Sequence, residues 1–421
     1  MKRLFQFIIF ACLTMAILSC GEDRTHEFEE KTQHNRWLLG ELKDKYLWAD
    51  TLSGYEPQWK EFFATPENFL KKISSKTGDK WSYVTVDTIV SDPHSNGYFN
   101  HNNSYGFDFM PMTDPTGKTS TLYIRVMTVY PNSPAAEAGL QRDDFFCTYN
   151  GFKISQKNLS KLEKGLGITV GVQRLTEKDG EYEFVTKDSV KIGPSRRVED
   201  VAFPVYKTFT EQGISIGYLM CTRLVEGDNG GNEYQQALDR IMQQMKNASV
   251  SEMVLDMRLC NYGTLEMAQR LASYVVNPKN INDVIAKTIH NKAYSAENKS
   301  ITYDSSVANL SLGRVFVIVS ERTKGAAEWM ISCLKKTMGD ENVILVGVDT
   351  YGQCVMTELV GSSFSVNLYA ATAYVADSDG NYSFKALSPA EQTTEMLFAY
   401  LHNYGDKEEP LLNKALSLML N

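Results

Sequence analysis

Few side chains in this 421-residue chain stand where they could attack a carbonyl, take a proton or hold a metal. The six histidines (His26, His34, His94, His101, His290, His402) never fall at ligand spacing. With no H-E-x-x-H and no C-x-x-C, the pattern argues against a zinc site, and no cofactor motif is present. Ser320, Thr323 and Lys324 crowd together just before Gly325. A hydroxyl beside an unprotonated lysine is the arrangement that acyl transfer by a serine-type nucleophile requires. One step along a turn swings a side chain through a large angle, so these residue types alone do not make a pair. Cys260 and Cys354 could supply a thiol nucleophile if a base lowered their pKa, but no histidine lies near either in sequence. Apart from Cys12 and Cys20 five cysteines remain, an odd number in mostly apolar patterns. They read as small buried hydrophobes rather than a disulfide framework.

The elements that must position this region are legible. Val315 to Val319 is a short β-branched apolar run, which suits a buried parallel strand. From Gly325 the period becomes helical, with Ala326, Trp329, Met330, Cys333 and Leu334 on one face. Polar residues at 337–342 turn the chain, and Val343 to Val348 is a second buried strand. Strand, helix and strand together have the length of one βαβ crossover. T-K-G-A-A-E after the first strand, with V-G-V-D-T-Y-G-Q after the helix, resembles the core of the S41 peptidases, the C-terminal (tail-specific) processing serine proteases. In that family the first segment usually reads S-A-S-A-S-E, its middle serine being the nucleophile, and the second T-x-G-K, its lysine being the general base.

Carried over position by position, the resemblance puts Gly325 at the nucleophile, Gln353 at the base and Thr357 at the residue that orients the base. The segment Asp256-Met257-Arg258-Leu259-Cys260-Asn261-Tyr262-Gly263 matches the family's D-L-R-x-N-G-G-G. There the glycine run and the N–H after the nucleophile form the oxyanion hole, which implies Asn261 and Ala326 here. Cys260 replaces the asparagine, Asn261 and Tyr262 replace two glycines, and Gly263 survives. Glycine carries no nucleophilic atom, and an amide is no base near neutral pH. A framework kept without its reactive atoms points to a pseudoenzyme.

Lys2 and Arg3 precede an apolar stretch from Leu4 to Leu18, which reads as a secretion signal rather than a spanning helix. The ending Ile17-Leu18-Ser19-Cys20 resembles a bacterial lipobox, implying cleavage before Cys20 and lipid on its thiol. Glu22-Asp23 resembles the signal that sends some Bacteroidetes lipoproteins to the cell surface. The expected place is therefore the bacterial envelope, as an outer-membrane lipoprotein on its periplasmic or outer side. The chain has formal charge −8, and loss of Lys2 and Arg3 leaves 41 basic against 51 acidic residues. An acidic chain is a poor partner for nucleic acid or an anionic membrane surface. Membrane attachment is expected through the N-terminal lipid only.

The expected architecture is α+β and multidomain: signal 1–20, tether 21–30, a helical N-terminal domain 31–95, a β-rich domain 103–194 and an α/β domain 200–421. Trp37, Leu38, Leu39, Leu42, Tyr46 and Leu47 form a helical face, a second helix lies around Trp59 to Ile73, and 90–102 form a turn-rich boundary loop. Trp37, Trp48, Trp59 and Trp81 are expected in the core of that small domain. Gly78-Asp79-Lys80-Trp81-Ser82-Tyr83 resembles the segment that closes the S41 N-terminal region. Residues 103–194 resemble a PDZ domain, most specifically in Pro131-Asn132-Ser133-Pro134-Ala135-Ala136-Glu137-Ala138-Gly139-Leu140. Tyr105, Gly106, Phe107, Asp108 and Phe109 match its carboxylate-binding loop and following strand. The resemblance implies that an extended peptide adds beside Phe107 to Met110 while its C-terminus takes the loop's N–H groups; otherwise the rest of the protein covers this loop. A short helix is expected at Asn158 to Lys164. The α/β domain is expected to share the crotonase-like core of such proteases.

Three functions fit these residues. A lipid-anchored, non-catalytic S41-like protein would bind polypeptide C-termini or a partner protein. An active serine-type endopeptidase would need a displaced nucleophile. A structural lipoprotein would keep its PDZ groove self-occupied.

Overall fold

A computed structural model describes residues 25–86, 101–383 and 385–420. The signal, Cys20 and the first part of the tether, and most of the expected boundary loop, lie outside these residues. The architecture is mixed α+β, with N-terminal helices and β-sheet cores. The described residues fall into two compact units: 25–86 with 291–293 and 357–372, and the remainder. The division cuts across the expected boundaries, since two short stretches of the C-terminal half join the helices and residues 103–194 do not separate from the α/β part.

In the first unit the helix Thr25–Asp44 buries Leu38, Leu39 and Leu42. The Asn35 amide donates to the Phe62 and Ala64 carbonyls, at 2.9 and 2.6 Å, and holds the 3-10 turn Trp59–Phe63. Thr65 caps the helix Pro66–Thr77, which begins with proline and ends at Gly78 in a left-handed conformation, φ 76°. Asp79 accepts the Trp81 and Ser82 N–H groups and the Tyr46 hydroxyl, which explains the G-D-x-x-S-Y pattern physically. Strand Tyr83–Val86 pairs antiparallel with Val366 to Tyr369. The tryptophans do not form the expected core. Trp59 is 69% exposed, and Trp48 and Trp81 are half-buried and stacked on each other. A small helical unit has too little interior for four indoles.

In the second unit residues 107–192 form a seven-stranded sheet with the edge strand Phe107–Thr113 beside Leu122–Val129. Its core holds Phe107, Phe109, Ile124, Val126, Phe146 and Val170. Ser133 caps the one-turn helix Pro134–Glu137 through its hydroxyl. The expected second helix is only a 3-10 turn, Leu159–Leu162. Gly165 and Gly167 follow it at once with positive φ, so helical continuation ends there.

The α/β sheet runs in the order 343–347, 315–319, 252–256, 214–220, 206–211, with the first four strands parallel and the last antiparallel. Val315, Val317 and Val319 pack with the helices Leu265–Val275 and Ala326–Met338 on one face. Phe316 and Ile318 meet the helix Pro410–Leu420 on the other. Burial on both faces is why these strands read as unbroken apolar runs. No helix among the described residues is long and apolar enough to cross a membrane.

An ionic network explains why the β-rich part does not separate. Arg258, fully buried, pairs with Asp256 at 2.7 Å, with Glu395 at 2.8 Å and with Glu409 at 2.7 Å. Arg142, from the β-rich part, donates to Glu395, to the His402 carbonyl at 2.9 Å and to the Tyr404 hydroxyl at 2.9 Å. Both guanidiniums lie over the Tyr404 ring, at 4.0 and 5.0 Å from its centroid. Removing any one partner would leave a buried charge uncompensated.

Candidate functional site

Gly325 stands at the N-cap of the helix Ala326–Met338 with φ 62° and ψ −118°. A backbone so held is strained for any residue with a Cβ, and such turns lift a side chain clear of a sheet edge. A Cβ built at 325 would lie 3.8 Å from the Gln353 side-chain amide, with nothing nearer. The two positions that the resemblance assigns to nucleophile and base are therefore neighbours at van der Waals distance. The Gln353 amide nitrogen donates to the Val355 carbonyl at 3.1 Å.

Glu328 fastens this arrangement. Its buried carboxylate accepts the N–H groups of Gly325 at 3.2 Å, Gly352 at 2.6 Å and Gln353 at 2.8 Å, and the Thr350 hydroxyl. Burial raises its pKa, and these donors oppose the shift. The three-residue spacing from Gly325 to Glu328 is the signal of a helix-start carboxylate, the reciprocal half of a capping box.

Gly263 lies against Ala326, since a Cβ there would sit 3.0 Å from the Ala326 Cβ and 2.9 Å from the Leu224 carbonyl. The segment 261–263 thus reaches the helix start, held by the Leu224 N–H donating to Tyr262 and the Thr264 N–H donating to Leu224. Ala326 and the 261–263 turn adjoin, as an oxyanion site would need, but Tyr262 projects 37% exposed where a glycine would leave room. Thr357 lies on the strand Val355–Ser363, at the first residue of the stretch 357–372 that belongs to the N-terminal unit, its buried hydroxyl without a hydrogen-bond partner among the described residues.

The alternative nucleophiles are occupied or inert. The Ser320 hydroxyl donates to the Arg258 carbonyl at 2.6 Å, and the Thr323 hydroxyl to the Met257 carbonyl at 2.9 Å. Lys324 is half-buried and places its ammonium over the Tyr351 ring, 5.5 Å from the centroid. Burial, then the Glu328 charge, pushes the Cys354 thiol up to about 12. Burial and the Asp200 charge raise the Cys260 thiol as well. Among the described residues no three His, Cys, Asp or Glu side chains are grouped to hold a metal ion.

The expected peptide-binding residues sit in a different state from the one their motif implies. Tyr105, Phe107, Asp108 and Phe109 are all buried. The Tyr105 N–H donates to the Glu163 carbonyl at 3.1 Å and the Gly106 N–H to the Ser104 hydroxyl at 3.1 Å, so two donors that the resemblance would assign to a carboxylate are bonded internally. Gly106, at φ 83°, lies so close to Ser133 that a Cβ would overlap it. Asp108 forms an ion pair with Arg322, on the loop leading to Gly325. Sequence reasoning missed this link and the Arg142–Arg258 network. Opposite charges far apart in sequence carry no pattern that pairs them.

Residues 215–390 match Peptidase family S41 and residues 33–83 match the Peptidase S41 N-terminal domain, together more than half of the chain. No curated protein matches it. Among solved structures it is similar to a protein of Bacteroides fragilis NCTC 9343 described as an S41 protease, with 26% identity and a TM-score of 0.82 over 91% of this chain and 97% of that one. It shares its fold with the photosystem II D1 C-terminal processing protease, with 15% identity and a TM-score of 0.50 over 88% and 95%. A mutant of CPAF gives 10% identity and a TM-score of 0.50 over 89% and 94%.

Proposed function

The chain belongs to peptidase family S41, and from that premise we propose that it is a non-hydrolysing member that binds polypeptide instead of cutting it. The observation that carries this reading is the 3.8 Å contact between a Cβ position at 325 and the amide of Gln353. An acyl transfer needs an atom to attack and a base to take its proton, and glycine and glutamine supply neither. The polypeptide is held by the cleft at Gly325 and by residues 103–194 acting as a PDZ-type module. We further propose that the protein works from the bacterial envelope as an outer-membrane lipoprotein, attached through lipid on Cys20.

The internal bonds of Tyr105 and Gly106 change how such a module would bind. Tyr130 donates to the Gly106 carbonyl, and the alternation of an antiparallel ladder then turns the Phe107 N–H toward the open edge. Strand addition can begin at the Phe107 N–H, but the Phe109 N–H is bonded to the Asp108 carboxylate at 2.9 Å and Pro111 has no N–H, so the added strand is short, and the terminal carboxylate has lost two donors. The same internal bonds favour a second reading, a scaffold whose groove is filled by its own chain.

Fluorescent peptides with apolar C-termini, free and amidated, test these readings by anisotropy and product mass. The proposal expects saturable binding, little sensitivity to amidation and intact peptide. Cleavage abolished by substituting one named residue would overturn it, and no binding at all would leave the scaffold.

A further inference from the structure

We propose that the aromatic cluster Phe28, Trp59 and Phe63 is a membrane-contact surface that seats the N-terminal unit on a zwitterionic lipid bilayer. Trp59 is 69% and Phe63 44% exposed, an arrangement that costs solvation free energy unless something covers it. The three rings form one continuous edge-to-face chain. Trp59 and Phe63 lie 5.9 Å apart at 88°, and Phe63 and Phe28 lie 5.5 Å apart at 66°. Asn35 fixes the turn that carries them through the Phe62 and Ala64 carbonyls, so the rings sit on a defined backbone. The Arg36 guanidinium lies 5.3 Å from the centre of the Phe28 ring, and Lys60 is exposed beside Trp59. Aromatic rings rimmed by cations match the layer of a bilayer where acyl chains meet phosphates.

The chain itself names the occupant, and here the inference rests on the proposed lipid at Cys20. Only four residues, five steps along the chain, separate Cys20 from Thr25, where the helix Thr25–Asp44 begins. At about 3.3–3.6 Å per residue, full extension spans at most about 18 Å. The helix start is therefore confined near the bilayer, and Phe28 lies in its first turn. Confinement by so short a tether makes contact with the lipid surface an intramolecular event. Glu27, Glu29 and Glu30 are exposed on the same first turns, which favours zwitterionic over anionic headgroups. The lipid holds the protein at the surface, and the rings set its orientation there.

The test uses the full lipoprotein, extracted from membranes and reconstituted in phosphatidylethanolamine–phosphatidylcholine vesicles with brominated acyl chains, which quench nearby indoles. Mass analysis of Cys20 and vesicle flotation report the anchor independently of the rings. Floating protein whose tryptophan emission is quenched, with the quenching lost in Trp59→Phe, is the expected result. Floating but unquenched protein, or quenching that persists in Trp59→Phe, would overturn the membrane surface while leaving the anchor in place, and a protein partner would then be the better occupant. Protein that carries no lipid and does not float would overturn both.

Discussion

Adding a Cβ at Gly325 should strain the backbone without crowding anything. The position is held at φ 62° and ψ −118°, a region that costs a non-glycine residue about 1–3 kcal/mol. Replacing glycine also removes freedom from the unfolded chain, which returns about 0.4–1 kcal/mol. No steric penalty is added, because the nearest atoms, those of the Gln353 amide, lie 3.8 Å from the new carbon. Gly325→Ala and Gly325→Ser should therefore each lose about 1–2 kcal/mol, by equal amounts, in urea unfolding at unchanged m-value. Gly325→Ser should still resist a fluorophosphonate probe, since Gln353 cannot take the hydroxyl proton. A loss above about 4 kcal/mol would mean that atoms fill the space between 325 and 353. Increased stability would mean that the turn is not left-handed. Either result would refute the facing geometry on which the functional reading rests.

Burial alone would raise the Glu395 carboxyl, but the Arg142 and Arg258 guanidiniums overcome it and hold it at about 2. A folded value below the ordinary 4.5 gives stability that is complete above about pH 4.5 and is lost as pH falls toward 2. At ~1.4 kcal/mol per unit the shift amounts to about 3–4 kcal/mol. Glu395→Gln should lose about that much at neutral pH and flatten the acid limb of a urea–pH series; an equally steep limb in the variant would contradict the assignment. Glu328→Gln turns one oxygen into a donor facing two N–H or O–H donors. After allowing for the carboxylate's own burial cost, it should lose about 2–4 kcal/mol, read by the same unfolding assay. A Cys354 thiol at about 12 holds roughly a thousandfold less thiolate than one at its ordinary value, so iodoacetamide should alkylate it far more slowly than a free thiol near pH 7.5. Rapid modification would revive a thiol nucleophile.

The buried strands were legible because burial on both faces leaves unbroken β-branched runs. Val315–Val319 matches its expected ends, and the helix Ala326–Met338 begins where the period changes. Gly325 and Gln353 could be paired only through resemblance, and the turn held by Glu328 gives that pairing its physical form. The 3-10 turn at Leu159–Leu162 was overread as a helix because Gly165 and Gly167 end it sooner than its apolar residues suggest. Loop donors such as the Tyr105 and Gly106 N–H groups are invisible to a motif, which records residue types and not which acceptors tertiary packing brings near. Trp59 was misplaced for a similar reason, since an indole reads as core whether it faces an interior or another surface.

Incubating the purified mature protein with fluorophosphonate and thiol-directed probes, then mapping every adduct by mass spectrometry, tests the absence of catalysis most directly. The account predicts no stoichiometric adduct at any single hydroxyl or thiol. One residue labelled to completion, and protected by a polypeptide that the protein also cleaves, would contradict it.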